Sequence, residues 1–185
     1  MSDTDRRAAW IELISVTGLI LSYIWLWQGA FDGDFLVCLG LVVAITLGGH
    51  RRRGETARDL GFRVDNLGQS AKEVFTIVGP LLVIMIIVGL ALGWNREPPI
   101  DRLWTRVALM PLFGIIQEYA LLGFYYRRFD EALPGSALPA LASATVFALL
   151  HLPNTPLMAL SFVAGIGACW FYRRTPNIWV LGLAH

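Results

Sequence analysis

Apolar residues along this chain run in long blocks rather than in two- or three-residue alternation. The first block covers residues 8–27 (AAWIELISVTGLILSYIWLW), the second 35–49, the third 75–94 and the fourth 103–125, with Glu118 inside it. The fifth covers residues 137–152 and the sixth 157–172. About 20 mostly apolar residues cross a hydrocarbon core of about 30 Å, so these blocks read as membrane helices. A seventh block opens at Asn177 with NIWVLGLAH. At 1.5 Å per residue it gives about 13 Å of helix, too short to cross. Either the sequence stops inside this helix or the helix enters the membrane without crossing it. The expected fold is all-α: a polytopic membrane helix bundle of about six complete transmembrane helices plus the start of a seventh, in a single domain of residues 1–185. Gly and Pro mark the turns at residues 28–34, 97–99, 133–135 and 153–156.

Composition agrees with this pattern. Of 185 residues, 56% are hydrophobic and 16% charged, against about 45–50% and 25% in soluble domains. An ordinary water-soluble globule is excluded, and 7 Trp with 10 Phe exclude disorder. A net charge of +1 points to no nucleic-acid partner. Cys38 and Cys169 lie within apolar blocks and read as small buried residues, not as a disulfide framework.

The basic residues set the orientation. Seven segments put Arg6, Arg7, Arg51, Arg52, Arg53, Arg58, Arg63, Lys72, Arg127, Arg128, Arg173 and Arg174 on one side. Only Arg96, Arg102 and Arg106 fall on the other. The positive-inside rule then places the N-terminus in the cytoplasm of a multi-pass protein, in a bacterial-type plasma membrane. A cleaved signal peptide fits poorly, because MSDTDRR mixes acids with bases and the apolar run after it is long. Residues 50–72 read as a cytoplasmic loop whose arginines meet anionic headgroups, which makes membrane lipid an expected partner. Trp10, Trp27, Trp94, Trp104 and Trp170 fall near segment ends, as an interfacial belt does.

Ionisable groups at membrane depth are costly and mark helix contacts or function. Glu12 is close enough to the N-terminal edge to reach the headgroups and reads as structural. Glu118 sits eight residues in from Tyr126, about 12 Å. His185 sits eight residues in from Asn177, at the same depth from the same side. His151, in TVFALLHLP, is about 21 Å from that edge if its helix begins at Ala137. Gly114, four residues before Glu118, leaves room for a neighbour on the same face. Ser161, Gly165 and Cys169 form a small-residue face for close helix packing.

A carboxylate with two imidazoles has the parts of a hydrolytic set. A buried Glu takes a proton from water and returns it to a leaving amine. One His orients that water and the other donates to the developing oxyanion. No cofactor is required outright, although Glu118, His151 and His185 also have the donor types of a Zn2+ site with an open fourth position. His-Glu-x-x-His is absent. The plainer alternative is a buried polar network that only ties helices together.

These residues resemble the CAAX-protease and bacteriocin-processing family of intramembrane proteases, also called the abortive-infection family. Its marks are a Glu-Glu-x-x-x-Arg helix, then Phe-x-x-x-His, then His-x-x-x-Asn/Asp. Phe147 and His151 match the second mark and Asn154 follows it, as in many members. Gln117 and Glu118 stand at the Glu pair, Leu122 at the Arg, and His185 at the third mark. The motif core spans residues 103–185, and residues 59–67 (DLGFRVDNL) look like the family's cytoplasmic loop. The resemblance implies a protease in which the Glu pair and first His activate water, while the last His contributes to an oxyanion site. It makes Glu118, His151 and His185 the catalytic candidates, with Gln117, Phe147 and Asn154 in support. Gln117 cannot act as a base, so activity requires Glu118 to take over that role.

Three functions follow as expectations. The first is an endopeptidase cutting a membrane-associated protein or peptide near the membrane surface. The second is a catalytically impaired relative acting in binding, bacteriocin immunity or assembly. The third is a small proton-coupled transporter using Glu118, for which paired repeats and broken helices are missing.

Overall fold

A computed structural model describes residues 3–93, 100–133, 135 and 137–185, with residues 100–107 as backbone only. Trp94, Arg96 and the turn at residues 97–99 lie outside the described residues, as do the side chains of Arg102, Trp104 and Arg106.

The described chain folds into seven helices, and no strand occurs among the described residues. Helix α1 is Asp3–Ser22 and widens into a π-helical Tyr23–Trp27 turn. Helix α2 is Asp34–Arg53 and α3 is Leu67–Ala91. Helix α4 begins as Ile100–Glu118, widens over Tyr119–Tyr126 and ends as Arg127–Ala132. Helix α5 is Leu138–Leu149, α6 is Thr155–Arg174 and α7 is Ile178–Ala184.

Among the described residues five helices are long and apolar enough to cross a membrane: α1, α2, α3, α4 over Ala108–Ala132, and α6. The protein is therefore an integral membrane helix bundle. The fifth expected span, residues 137–152, is corrected. Helix α5 has 12 residues, about 18 Å, short of a 30 Å core. Pro139 fixes its first turn, and the chain leaves the helix before His151. His151 therefore sits in the turn after α5, not inside a helix. Two other boundaries move the opposite way. Helix α2 continues through His50–Arg53, and α4 continues through Arg127 and Arg128. Both stretches looked like loop because they are basic, yet cations suit the carbonyl end of a helix. Gly54, at φ +65°, then stops α2.

The core forms on both sides of α4. On one side Leu121, Leu122 and Tyr126 pack with Val74, Phe147, Cys169, Tyr172, Ile178 and Leu181. On the other, Phe124, Tyr125, Phe129 and Ala132 pack with Ala9, Leu13 and Val16 of α1. The small face of α6 is buried, and a Cβ at Gly165 would press on Ala144 of α5. Cys38 and Cys169 are buried free thiols, as expected. Helix α3 lies at the other extreme. Only 6% of its most apolar window is buried, and Leu81 through Ile87 stand outward, as expected of a helix whose faces meet lipid.

Candidate functional site

The site begins where α4 crosses α7. A Cβ at Gly114 would collide with the Gly182 carbonyl oxygen, and one at Gly182 would lie 2.6 Å from Ile115 Cα. Two glycines therefore let the backbones touch. One turn further along α4, Glu118 meets the residue that follows α7. His185 Nδ1 lies 2.9 Å from Glu118 Oε1. The neighbour for which Gly114 leaves room is thus α7, and the two groups placed in one layer by residue counting are in contact.

Glu118 is nearly closed off, with its side chain 6% exposed, while His185 remains 30% exposed. With the carboxylate ionised, His185 Nδ1–H donates and Nε2 keeps its lone pair. Glu118 Oε2 is buried without a hydrogen-bond partner, as is the neighbouring Gln117 Oε1. Buried acceptors are normally paired, so the orphan Glu118 Oε2 marks a place for water or substrate.

Phe147 links the two imidazoles. Its ring meets His151 edge-on at 4.9 Å and His185 edge-on at 6.4 Å. His151 Nδ1 donates to the Phe147 carbonyl at 2.7 Å, which leaves Nε2 as its working atom. Asn154 has a different job. It is exposed, and its side-chain oxygen caps α6 by accepting from Leu157 N–H at 3.1 Å. Leu122, at the family's Arg position, is fully buried in the core.

Among the described residues no three His, Cys, Asp or Glu side chains gather closely enough to hold a metal ion.

Residues 59–67 hold α7 in place. Asn177 caps α7 by accepting from Val180 N–H at 3.0 Å, and its amide donates to Arg63 O at 2.8 Å and Asn66 Oδ1 at 2.7 Å. Ile178 N–H donates to Gly61 O at 2.8 Å. Gly61 has φ +90°, and a Cβ there would strike the Tyr172 ring at 2.7 Å. The stretch read as a plain connector clamps the helix that carries His185.

A second polar cluster escaped sequence reasoning. Arg128 is fully buried and donates to Glu12 at 2.8 Å, Glu55 at 2.5 Å and Glu131 at 2.9 Å. Arg53 donates to Glu12 and Glu131, and Arg127 to Glu55. Glu12 is 2% exposed and does not reach the headgroups. A Cβ at Gly49 would overlap its carboxylate, so this glycine makes its niche. His50 Nδ1 lies 2.7 Å from Glu55 Oε2, and Nε2 lies 2.9 Å from the Tyr119 hydroxyl, next in sequence to Glu118. Burial pushes the Glu55 carboxyl up, but hydrogen bonds from His50, Arg128 and Arg127 outweigh it and hold it well below its ordinary 4.5. The available signal was three basic side chains, His50, Arg53 and Arg128, beside apolar runs that also contain Glu12.

Fold and site together define a helical membrane protein with a part-satisfied Glu–His pair at a glycine crossing. Residues 99–185 match the family model described as type II CAAX prenyl endopeptidase Rce1-like. That match covers a little under half of the chain and includes Glu118, His151 and His185. No curated protein and no solved structure matches it.

Proposed function

We propose that this protein is an intramembrane endopeptidase that hydrolyses a peptide bond of a membrane-associated substrate near the cytoplasmic surface. The observation that carries the reading is the Glu118 carboxylate, with one oxygen held by His185 and the other buried and unpaired. Oε2 takes a proton from a water molecule, and the resulting hydroxide attacks the scissile carbonyl carbon. His151, with Nδ1–H donated to the Phe147 carbonyl, accepts the other O–H of that water at Nε2 and orients it for attack. Collapse of the tetrahedral intermediate breaks the C–N bond, and Glu118 returns the proton to the leaving nitrogen. The products are a carboxylate and an amine. Gln117 has no basic oxygen, and its unpaired carbonyl suits a substrate N–H.

The test compares membrane proteomes of cells carrying wild type and Glu118→Gln, together with cleavage of a bilayer-embedded reporter peptide. Turnover is expected to fall about 10²–10⁴-fold, the usual loss for a general base, with an uncut substrate accumulating. Retained cleavage in both Glu118→Gln and His151→Ala overturns the reading. Gln117 and Leu122, at the positions of the family's Glu and Arg, favour a second reading in which the site binds a peptide without cutting it. That reading gains if partner capture survives Glu118→Gln and no cleavage is detected in wild type.

A further inference from the structure

Away from Glu118, two grooves flank the end of α6 and share Trp170 and Arg174. One, of about 450 Å³, runs between α3 and α6. The other, of about 570 Å³, runs between α6 and α5. Neither includes Glu118, His151 or His185. Their walls change character along their length. The α3 side is a helical stripe of Gln69, Lys72, Glu73, Thr76 and Ile77, polar at its start and apolar further on. The second groove offers Leu141 of α5 and Ile166 of α6 beside Arg173.

The polar mouth is organised. The Arg174 guanidinium lies over the Trp170 ring, 4.8 Å from its centroid, which fixes the aim of a long flexible cation. Glu73 is already engaged, accepting from Gln69 at 3.1 Å and from Thr175 at 2.9 Å, with Arg174 Nε at 3.9 Å. Its charge offsets one of the two cations of this groove, Lys72 and Arg174, and leaves the mouth positive. The ends of two helices apolar enough to cross a membrane place this mouth at headgroup level, and the apolar walls below it run at acyl-chain depth. Loop arginines expected to meet headgroups are tied elsewhere. Arg53 is bound to Glu12 and Glu131, and Arg58 and Arg63 are bound to Asp65.

We infer that the groove between α3 and α6 is a binding site for one anionic phospholipid, its phosphate between Lys72 and Arg174 and an acyl chain along Thr76 and Ile77. The combination fits this occupant: cations at the interface, an aromatic that orients one of them, and an apolar slot below. A zwitterionic lipid brings its own cation and gains less from the positive mouth. A soluble anion has no use for the slot.

The test uses the full chain in phosphatidylcholine nanodiscs doped with phosphatidylglycerol, with native mass spectrometry and thermal melting as readouts. Wild type is expected to retain one phosphatidylglycerol per chain and to melt at higher temperature with it. Lys72→Gln/Arg174→Gln is expected to bind about thirtyfold more weakly, the loss for two headgroup-facing cations. Arg51→Gln/Arg58→Gln, with the same change in net charge, is expected to bind as wild type does. Equal retention in both double variants, or equal retention of phosphatidylcholine by wild type, overturns the site. Equal protection by sodium phosphate alone overturns the lipid assignment. If the first variant fails to fold, the wild-type titration decides, because saturation at one lipid per chain supports the site and unsaturable uptake overturns it. None of these outcomes depends on peptidase activity.

Discussion

Two polar clusters sit within this apolar bundle, and they differ in how fully they are paired. Around Arg128, three carboxylates face three buried or half-buried arginines, Arg53, Arg127 and Arg128, and each carboxylate is bound more than once. Around Glu118, one carboxylate meets one imidazole, and two neighbouring acceptors are left over. The first network leaves one donor over, Arg53 Nη2, but no carboxylate oxygen, and fixes how helices pack. An open one keeps capacity for a guest. By this measure the larger cluster is scaffold and the smaller one is the candidate site, although the larger has more charge.

The largest expected effect tests this division. Arg128→Met leaves Glu12 and Glu55 without their shared cation and is expected to cost about 3–5 kcal/mol in detergent melting. Glu118→Gln is expected to leave melting nearly unchanged while removing turnover. A reversed result would exchange the roles of the two clusters.

Acid is the next probe. The Glu55 carboxyl titrates lower in the folded protein than its ordinary 4.5. Its stabilisation is therefore complete above that value and is lost as pH falls toward the folded one. Wild type is expected to lose about 1.5–3 kcal/mol relative to Glu55→Gln on acidification from pH 7, the range for charge-assisted hydrogen bonds. Parallel melting curves for the two proteins would remove Glu55 from the account.

Gly182→Ala acts on the crossing that makes the open cluster. Its Cβ meets the α4 backbone at Ile115, so a cost of about 1–3 kcal/mol is expected, with turnover falling further than stability because His185 moves off Glu118. The smallest effect is Asn154→Ala. Loss of one helix cap costs about 1 kcal/mol, and turnover per folded molecule is expected to hold. A selective loss of turnover would return Asn154 to the site.

The open cluster was legible in sequence and the closed one was not. Glu118 stood out because it interrupts an apolar run, and His185 could be set at its depth by counting residues from a helix start. Gly114 announced a close crossing without naming its partner. The closed cluster joins residues far apart in the chain, such as Glu12 with Arg128. No local period encodes which carboxylate an arginine chooses. The loop reading assigned Arg53 to headgroups and the charge count set Arg127 and Arg128 on the cytoplasmic side, when all three are engaged within the bundle. The shortness of α5 was hidden for a different reason. Its apolar run continues past Leu149 through the turn that holds His151, so hydropathy registers length where the backbone has already turned.

The clamp on α7 has a mechanical side. Ile178–Ala184 spans seven residues, about 10 Å of stiff rod, gripped at Asn177 by residues 61–66 and bearing on Gly114 near its far end. A rod held at one end and resting on a fulcrum is a lever. A push on the loop at Arg63 or Asn66 tilts it, and the tip that swings is the imidazole against Glu118. Contact made at the membrane surface thus reaches a carboxylate within the bundle as a displacement, with no charge having to travel between them.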